Sequence, residues 1–233
     1  MVSNKFKTVI VLVAIMATSG FLVPKAYLKY MNNRDFRPPF EKRLLKNIQL
    51  MDDVKGVISL TEFDNSIWFA YSTTSKAEKR NILVHKKIKA LRERFPKQQF
   101  KTCIFLVDAT PEDKSLLRSY REEEAQWLTE DDHIIAANVA ILQKYMKNEF
   151  RFSQLPYLKE GEWIYDKDLI IIDNKQHLRG HLDFEKAQKV DQESAQSGDP
   201  MMQESRMNDL LVNSITYLLE NPEEEDPALK GEK

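Results

Sequence analysis

The chain has 233 residues, 42% of them hydrophobic and 30% charged, with a formal net charge of -1. That balance describes a globular protein with room for a core plus appendages, and it gives no electrostatic reason to expect nucleic acid as a partner. A single cysteine, Cys103, excludes an internal disulfide framework, a Cys-x-x-Cys redox pair and a cysteine-rich metal site.

At the N-terminus, Lys5 and Lys7 precede an apolar run over 8–23. As a helix it spans about 24 Å, and Ala26, Tyr27 and Leu28 extend it toward the ~30 Å hydrocarbon thickness of a bilayer. Tyr27 and Tyr30 suit an interfacial belt, and Lys25 and Lys29 reach out of it by snorkelling. Residues 1–31 read as an uncleaved transmembrane anchor, because apolar residues continue to Val23 past Ala17-x-Ser19, the small-residue site that the rival reading, a cleaved signal peptide, would use. No cysteine stands at the end of the run, so a lipoprotein anchor is excluded. Either reading exports the rest of the chain when the N-terminus stays inside, and the expected location is the bacterial inner membrane with the bulk in the periplasm.

Residues 32–53 read as a tether, of which 32–47 is basic and carries Pro38-Pro39. The folded domain is expected over 54–221. It opens with a short strand and turn at 54–63, then a continuous apolar run at 66–71 that reads as a strand covered on both faces. A helix follows over 77–95, with Val84, Ile88, Leu91 and Phe95 at helical spacing and Pro96 as the stop. The next buried strand is 100–107. Thr110-Pro111-Glu112-Asp113 reads as an N-cap, a proline at the first helical position and an acidic first turn, leading into a short helix with Leu116, Leu117 and Tyr120. A longer helix is expected over 132–148 on the spacing of Ile135, Val139, Leu142 and Met146, and a short strand over 150–153. Residues 169–173, the turn at 174–176 and 178–182 form a hairpin. The stretch 185–205 is polar and reads as a mobile insertion, the last helix is expected over 202–219, and 222–233 is an acidic tail. Strand, helix, strand, helices, hairpin and closing helix is the thioredoxin order. The expected class is α/β, a thioredoxin-like central mixed sheet flanked by helices, behind a transmembrane helix.

Four segments in this order resemble the Sco/SenC family, the membrane-anchored thioredoxin-like copper chaperones of cytochrome oxidase assembly. Trp68-Phe69-Ala70-Tyr71-Ser72 stands where that family has the strand before its Cys motif. Val107-Asp108 followed by Thr110-Pro111-Glu112, Leu116 and Tyr120 resembles its Val-Asp-Pro…Asp-Thr-Pro-Glu…Leu…Tyr segment. Trp127-Leu128-Thr129 resembles its Leu-Thr-Gly, and Asp166-Lys167-Asp168-Leu169-Ile170-Ile171 its Asp-His-Ser/Thr run. The likeness covers about 56–183 and the last helix. It implies the fold and the membrane topology. It also implies where copper ligands would stand, and the family's Cys-x-x-x-Cys pair and distant His fall on Thr74, Glu78 and Lys167. A hydroxyl, a hard carboxylate and an ammonium are not a Cu(I) donor set, so these positions read as vacated.

Other constellations have plainer readings. Cys103, in an apolar strand, reads as a small buried hydrophobe. His177 and His181, four apart in an extended segment, stand about 13 Å apart along the strand, too far to share one ion, and read as solvated turn and edge residues; Asp173 and Asp183 join them only through an unusual loop. Asp108, Glu112 and Asp113 have no nucleophile or base beside them, and capping accounts for the last two. Trp127 and Trp163 read as packing residues. The 77–95 helix carries Lys79, Arg80, Lys86, Lys87, Lys89, Arg92 and Arg94; of these, Lys79, Arg80, Lys86 and Lys87 are the candidate surface for an acidic protein or anionic lipid. The expectation is a binding or scaffold factor in a membrane complex, held to the membrane by its N-terminal helix, not an enzyme, with no catalytic residues, cofactor or metal. The alternatives are a copper-delivery or thiol–disulfide protein whose ligands have moved to His177, His181, Cys103, Met201 and Met202, and a structural subunit of an envelope complex that makes contact through its last helix and tail.

Overall fold

The computed structural model describes residues 38–44, 49–52, 55–76, 78–183 and 206–225, all within the unit Pro38–Lys233. The segments 1–31 and 185–205 lie outside the described residues, and no described helix is long and apolar enough to cross a membrane.

The two continuous apolar runs become β4 (Trp68–Thr73) and β5 (Lys101–Leu106), parallel neighbours with Trp68 opposite Lys101 and Thr73 opposite Leu106. β6 (Asp132–Ile135) continues the parallel part beyond β5, while β9 (Asp168–Ile172) and β10 (His177–Asp183) form the antiparallel hairpin on the other side of β4. β1 (Lys42–Arg43) closes that edge. At the far edge, the hairpin of β2 (Gln49–Asp52) and β3 (Gly56–Ser59) is joined through one pair, Asp52 opposite Ile135, giving the order β1-β10-β9-β4-β5-β6-β2-β3. A small separate hairpin, β7 (Tyr157–Lys159) and β8 (Glu162–Ile164), turns through Glu160 and Gly161, both at positive φ.

Because side chains alternate across a strand, the central strands feed two cores. Phe69, Tyr71, Ile104, Leu106, Ile134, Leu169 and Ile171 face one side, where α1 (Glu78–Arg94), α2 (Lys114–Glu123) and α4 (Arg206–Glu220) cover them with Val84, Ile88, Leu91, Leu117, Tyr120, Leu211 and Ile215. Trp68, Ala70, Cys103, Phe105, Ile135, Ile170 and Ile172 face the other, under α3 (Val139–Asn148), the β2–β3 hairpin, and Phe63, Phe150 and Phe152. The sheet is therefore mixed, with helices on both faces, as expected.

Several expected boundaries are corrected. The helix expected over 132–148 is a strand, β6, followed by α3. The segment Asp132–Ile135 is fully buried in parallel register with β5, and helix begins only where the Asn138 side chain accepts a hydrogen bond from the Ala140 N–H at 3.0 Å. The short helix begins at Lys114, not at Thr110. Asp113 folds back to accept hydrogen bonds from the Thr110 backbone N–H and hydroxyl, 2.8 and 2.9 Å, and those bonds lower its pKa. Residues 150–153 form no strand; Arg151 sits at φ 53 and interrupts the extended backbone. Part of the 32–53 stretch read as tether supplies β1 and β2.

Candidate functional site

The strand-to-helix junction after β4 is tied down from two directions. On one side, the carboxylate of Asp108, just past the carboxyl end of β5, accepts from the Ser75 N–H at 3.0 Å to each oxygen and from the Ser75 hydroxyl at 2.7 Å. The Val107 N–H donates to the Thr73 carbonyl at 2.9 Å. On the other side, the buried Ser72 hydroxyl donates to the Asp166 carbonyl at 2.7 Å. The Asp166 carboxylate is itself a hub: it accepts from the Ser153 N–H and hydroxyl, the Gln154 N–H and the Asp168 N–H, at 2.6, 2.7, 3.0 and 2.8 Å. Fixing a carboxylate with several backbone N–H groups rigidifies the turn that delivers β9 to β4.

This geometry brings two of the three vacated positions onto neighbouring segments. Ala70 lies opposite Ile170, and continuing that register past Ser72 sets the Thr74 segment beside the Asp166–Lys167 turn. Thr74 is half-buried and Lys167 is exposed. Glu78 opens α1, but its side chain, like those of Lys79 and Arg80, lies outside the described ones. Thr, Glu and Lys supply no sulfur or imidazole, so the residues present do not fit Cu(I). Among the described residues no group of three His, Cys, Asp or Glu is placed to hold a metal ion.

The remaining candidates scatter. Cys103 is fully buried in β5, where burial, with Asp52 adding, pushes its thiol pKa well up; it behaves as a core residue. His177 is not a solvated turn residue. It is buried, its Nδ1 is 3.3 Å from Asp173 Oδ2, and the Phe40 ring meets it edge-on at 5.2 Å. His181 lies half-buried between Glu41 and Asp168, 3.3 and 3.7 Å away. β9 and β4 separate β10 from β5, so the strand carrying Cys103 lies about 14 Å across the sheet from the strand carrying His177 and His181. Met201 and Met202 lie outside the described residues.

The basic helix divides by face. Lys86 and Lys89 are exposed and flank Trp127, with ammonium-to-ring distances of 5.8 and 5.5 Å, so Trp127 packs under this surface. Lys87 is half-buried. Arg92 is no part of a solvated face: it clamps Asp132 bidentately at 2.7 and 3.0 Å and also donates to the Phe100 carbonyl. Trp163 packs against the second core.

No family model matches the chain, and no curated protein matches it. Among solved structures, yeast Sco1 with copper bound superposes with a TM-score of 0.51 at 9% identity, covering 82% of this chain and 98% of that one. The fold is Sco-like. A putative electron transfer protein from Aquifex aeolicus VF5 superposes with a TM-score of 0.50 at 11% identity, covering 62% of this chain and 84% of that one. In the Sco-like fold of this chain, the strand-to-helix junction lies at the carboxyl end of β4, where the Ser72 and Ser75 hydroxyls are held by Asp166 and Asp108.

The Asp108 anchor is testable. Asp108→Ala removes every bond to Ser75, and we expect a loss of about 2 kcal/mol in urea unfolding at pH 7, with faster amide exchange at Ser75. Unchanged exchange at Ser75 would show that the junction holds without the carboxylate.

Proposed function

We propose that this chain is a non-catalytic binding or scaffold factor of Sco-like fold, held at the bacterial inner membrane by residues 1–31 with its folded part on the periplasmic side. It works through protein contacts in the assembly of a membrane complex, respiratory oxidase by analogy with the family it resembles. The analogy is one of fold, and a fold hosts more than one function. The supporting observation is the chemistry of the junction: where the resemblance puts soft copper donors, adjacent segments carry Thr74 and an exposed Lys167, and a protonated ammonium repels a cation. Relocation of the ligands is disfavoured by the distance across the sheet from Cys103 to His177 and His181. Contact through the tail is disfavoured at its start, since Glu224 is engaged internally with Arg179 and Tyr217.

The test is a competition titration of the full chain in lipid nanodiscs with Cu(I) and Cu(II) against a chelator of known affinity. The parent chain is expected to take up no stoichiometric copper. The triple variant Thr74→Cys, Glu78→Cys, Lys167→His restores two thiolates and an imidazole and is expected to bind one Cu(I). Tight one-to-one binding by the parent would overturn the proposal and return the chain to copper delivery. Partner recovery from cross-linked membranes then reads the binding role directly, with Lys86→Glu and Lys89→Glu testing the basic surface beside Trp127.

A further inference from the structure

A groove of about 480 Å³ opens at the carboxyl ends of β5 and β6, on the same rim as the junction but separate from it. Its walls come from five segments: Leu50 on β2, Val57 on β3, Pro111 and Glu112 after β5, Ala137 after β6, and Ile141 and Tyr145 on α3. Val57 and Ile141 are 59% and 50% exposed, so two large apolar side chains meet water at one opening. Apolar surface left open in this way commonly marks a binding site, and the volume lies within the range that ligand pockets occupy. Glu112 is the only charged residue of the lining, and its carboxylate has no ion-pair partner among the described residues.

Among the described residues, the backbone beside the groove is also open. β3 is the terminal strand of the sheet, and among the described residues it pairs only with β2. Edge strands are usually blunted by a lysine, a proline or a bulge. Gly56-Val57-Ile58-Ser59 has none of these; its register with β2 is unbroken, and Val57 turns into the groove.

We propose that the groove receives an extended segment of a partner protein, which adds to the open edge of β3 as a further strand. Its alternate side chains are apolar and enter between Val57 and Ile141, and one lysine or arginine among them faces Glu112. An extended peptide presents every second side chain to one face, and strand addition combines main-chain hydrogen bonds with pockets for those side chains. A second copy of this chain fits less well, because the groove holds an acid and no cation, and two copies meeting there bring like charges together.

The test uses the full chain in lipid nanodiscs and fluorescence anisotropy with a labelled synthetic peptide, Val-Thr-Lys-Thr-Val-Thr-Val, against the same peptide with Glu in place of Lys. The Lys peptide is expected to bind saturably and to bind Ile141→Asp about tenfold more weakly. Glu112→Lys is expected to reverse the preference between the two peptides. Both residues are exposed, so the variants are expected to keep the parent's thermal melt, and Val57→Lys, which blunts the edge, supplies an independent loss of binding. Absence of saturable binding, or equal binding by Ile141→Asp and the parent, overturns the proposal. So does a sedimenting dimer that Ile141→Asp dissociates, because the occupant is then a second copy. None of these readouts depends on copper at the junction.

Discussion

Arg179→Met is expected to remove about 3–5 kcal/mol from the stability of the domain, the largest single loss we anticipate. Arg179 is 1% exposed, and it reaches burial through a bulge: Leu178 lies opposite Ile172 and Gly180 opposite Ile171, leaving Arg179 as the extra residue. Its guanidinium lies 3.6 Å from the centroid of the Phe40 ring. It donates to Asp173 Oδ2 at 3.1 Å, Glu224 Oε2 at 2.7 Å and the Pro38 carbonyl at 2.9 Å. One side chain thus joins the segment entering the sheet, the β9–β10 hairpin and the segment leaving α4. Methionine fills much of the volume but leaves the carboxylates of Asp173 and Glu224 without the guanidinium between them. Burial works to raise the Asp173 pKa; the hydrogen bonds from His177, and then the charges of His177 and Arg179, hold it below the ordinary carboxylate value of 3.8. A depressed carboxylate pKa gives stability that is present above the unfolded value and lost as pH falls through the folded one. The parent is therefore expected to lose stability below about pH 4, and Arg179→Met to show a shallower loss there on top of its deficit at neutral pH. Urea unfolding at both pH values measures this, and a cycle with Glu224→Gln isolates the pair. A deficit under about 1 kcal/mol at pH 7 would show that the clasp is not what holds the two ends.

The elements that sequence predicts well are those with one dominant physical signal. β4, β5 and β9 are covered on both faces and read as continuous apolar runs, and α1 and α4 show an apolar stripe at helical spacing. β6 was hidden because Ile135 falls in phase with Val139, Leu142 and Met146, so strand and helix merged into one period. The signals that separate them are the β-branched pair Ile134-Ile135 and the capping Asn138. β1, β2, β7 and β8 have two to four residues each, too few for a period to show, though Glu160-Gly161 was a turn signal for the last pair. At the junction, the identities of Thr74, Glu78 and Lys167 are legible by resemblance. The bonds that fix it are not, because Asp108 is 33 residues from Ser75 and Asp166 is 94 from Ser72. The groove and the Arg179 clasp are assembled from distant segments in the same way, and neither has a local signature.

His85 should make the domain acid-sensitive well above the range in which carboxylates titrate. It sits on α1, 3% exposed, between two groups from other elements: the Tyr71 hydroxyl on β4 at its Nε2, and Glu124 Oε2, after α2, at 3.0 Å from its Nδ1. A carboxylate only accepts, so Nδ1 carries the proton and Nε2 accepts from Tyr71, the arrangement of a neutral imidazole. Burial lowers the His85 pKa, Asp132 nearby raises it and Arg92 lowers it, and the result falls from 6.5 to about 4. Between those values the unfolded chain binds a proton that the folded chain does not, so stability is complete above pH 6.5 and declines as pH falls toward 4. At 1.36 kcal/mol per unit the loss over that window is about 3 kcal/mol. Protonation also removes the acceptor that Tyr71 uses, which would loosen the contact of α1 with β4 directly behind the junction. The check is the midpoint of urea unfolding from pH 7.5 to 4.5 in the parent and in His85→Gln. Glutamine retains a donor and an acceptor but does not titrate, so it is expected to be less stable at pH 7.5 and to show a flatter slope down to pH 4.5. Parallel curves would place the acid sensitivity on other groups and show that His85 serves packing alone.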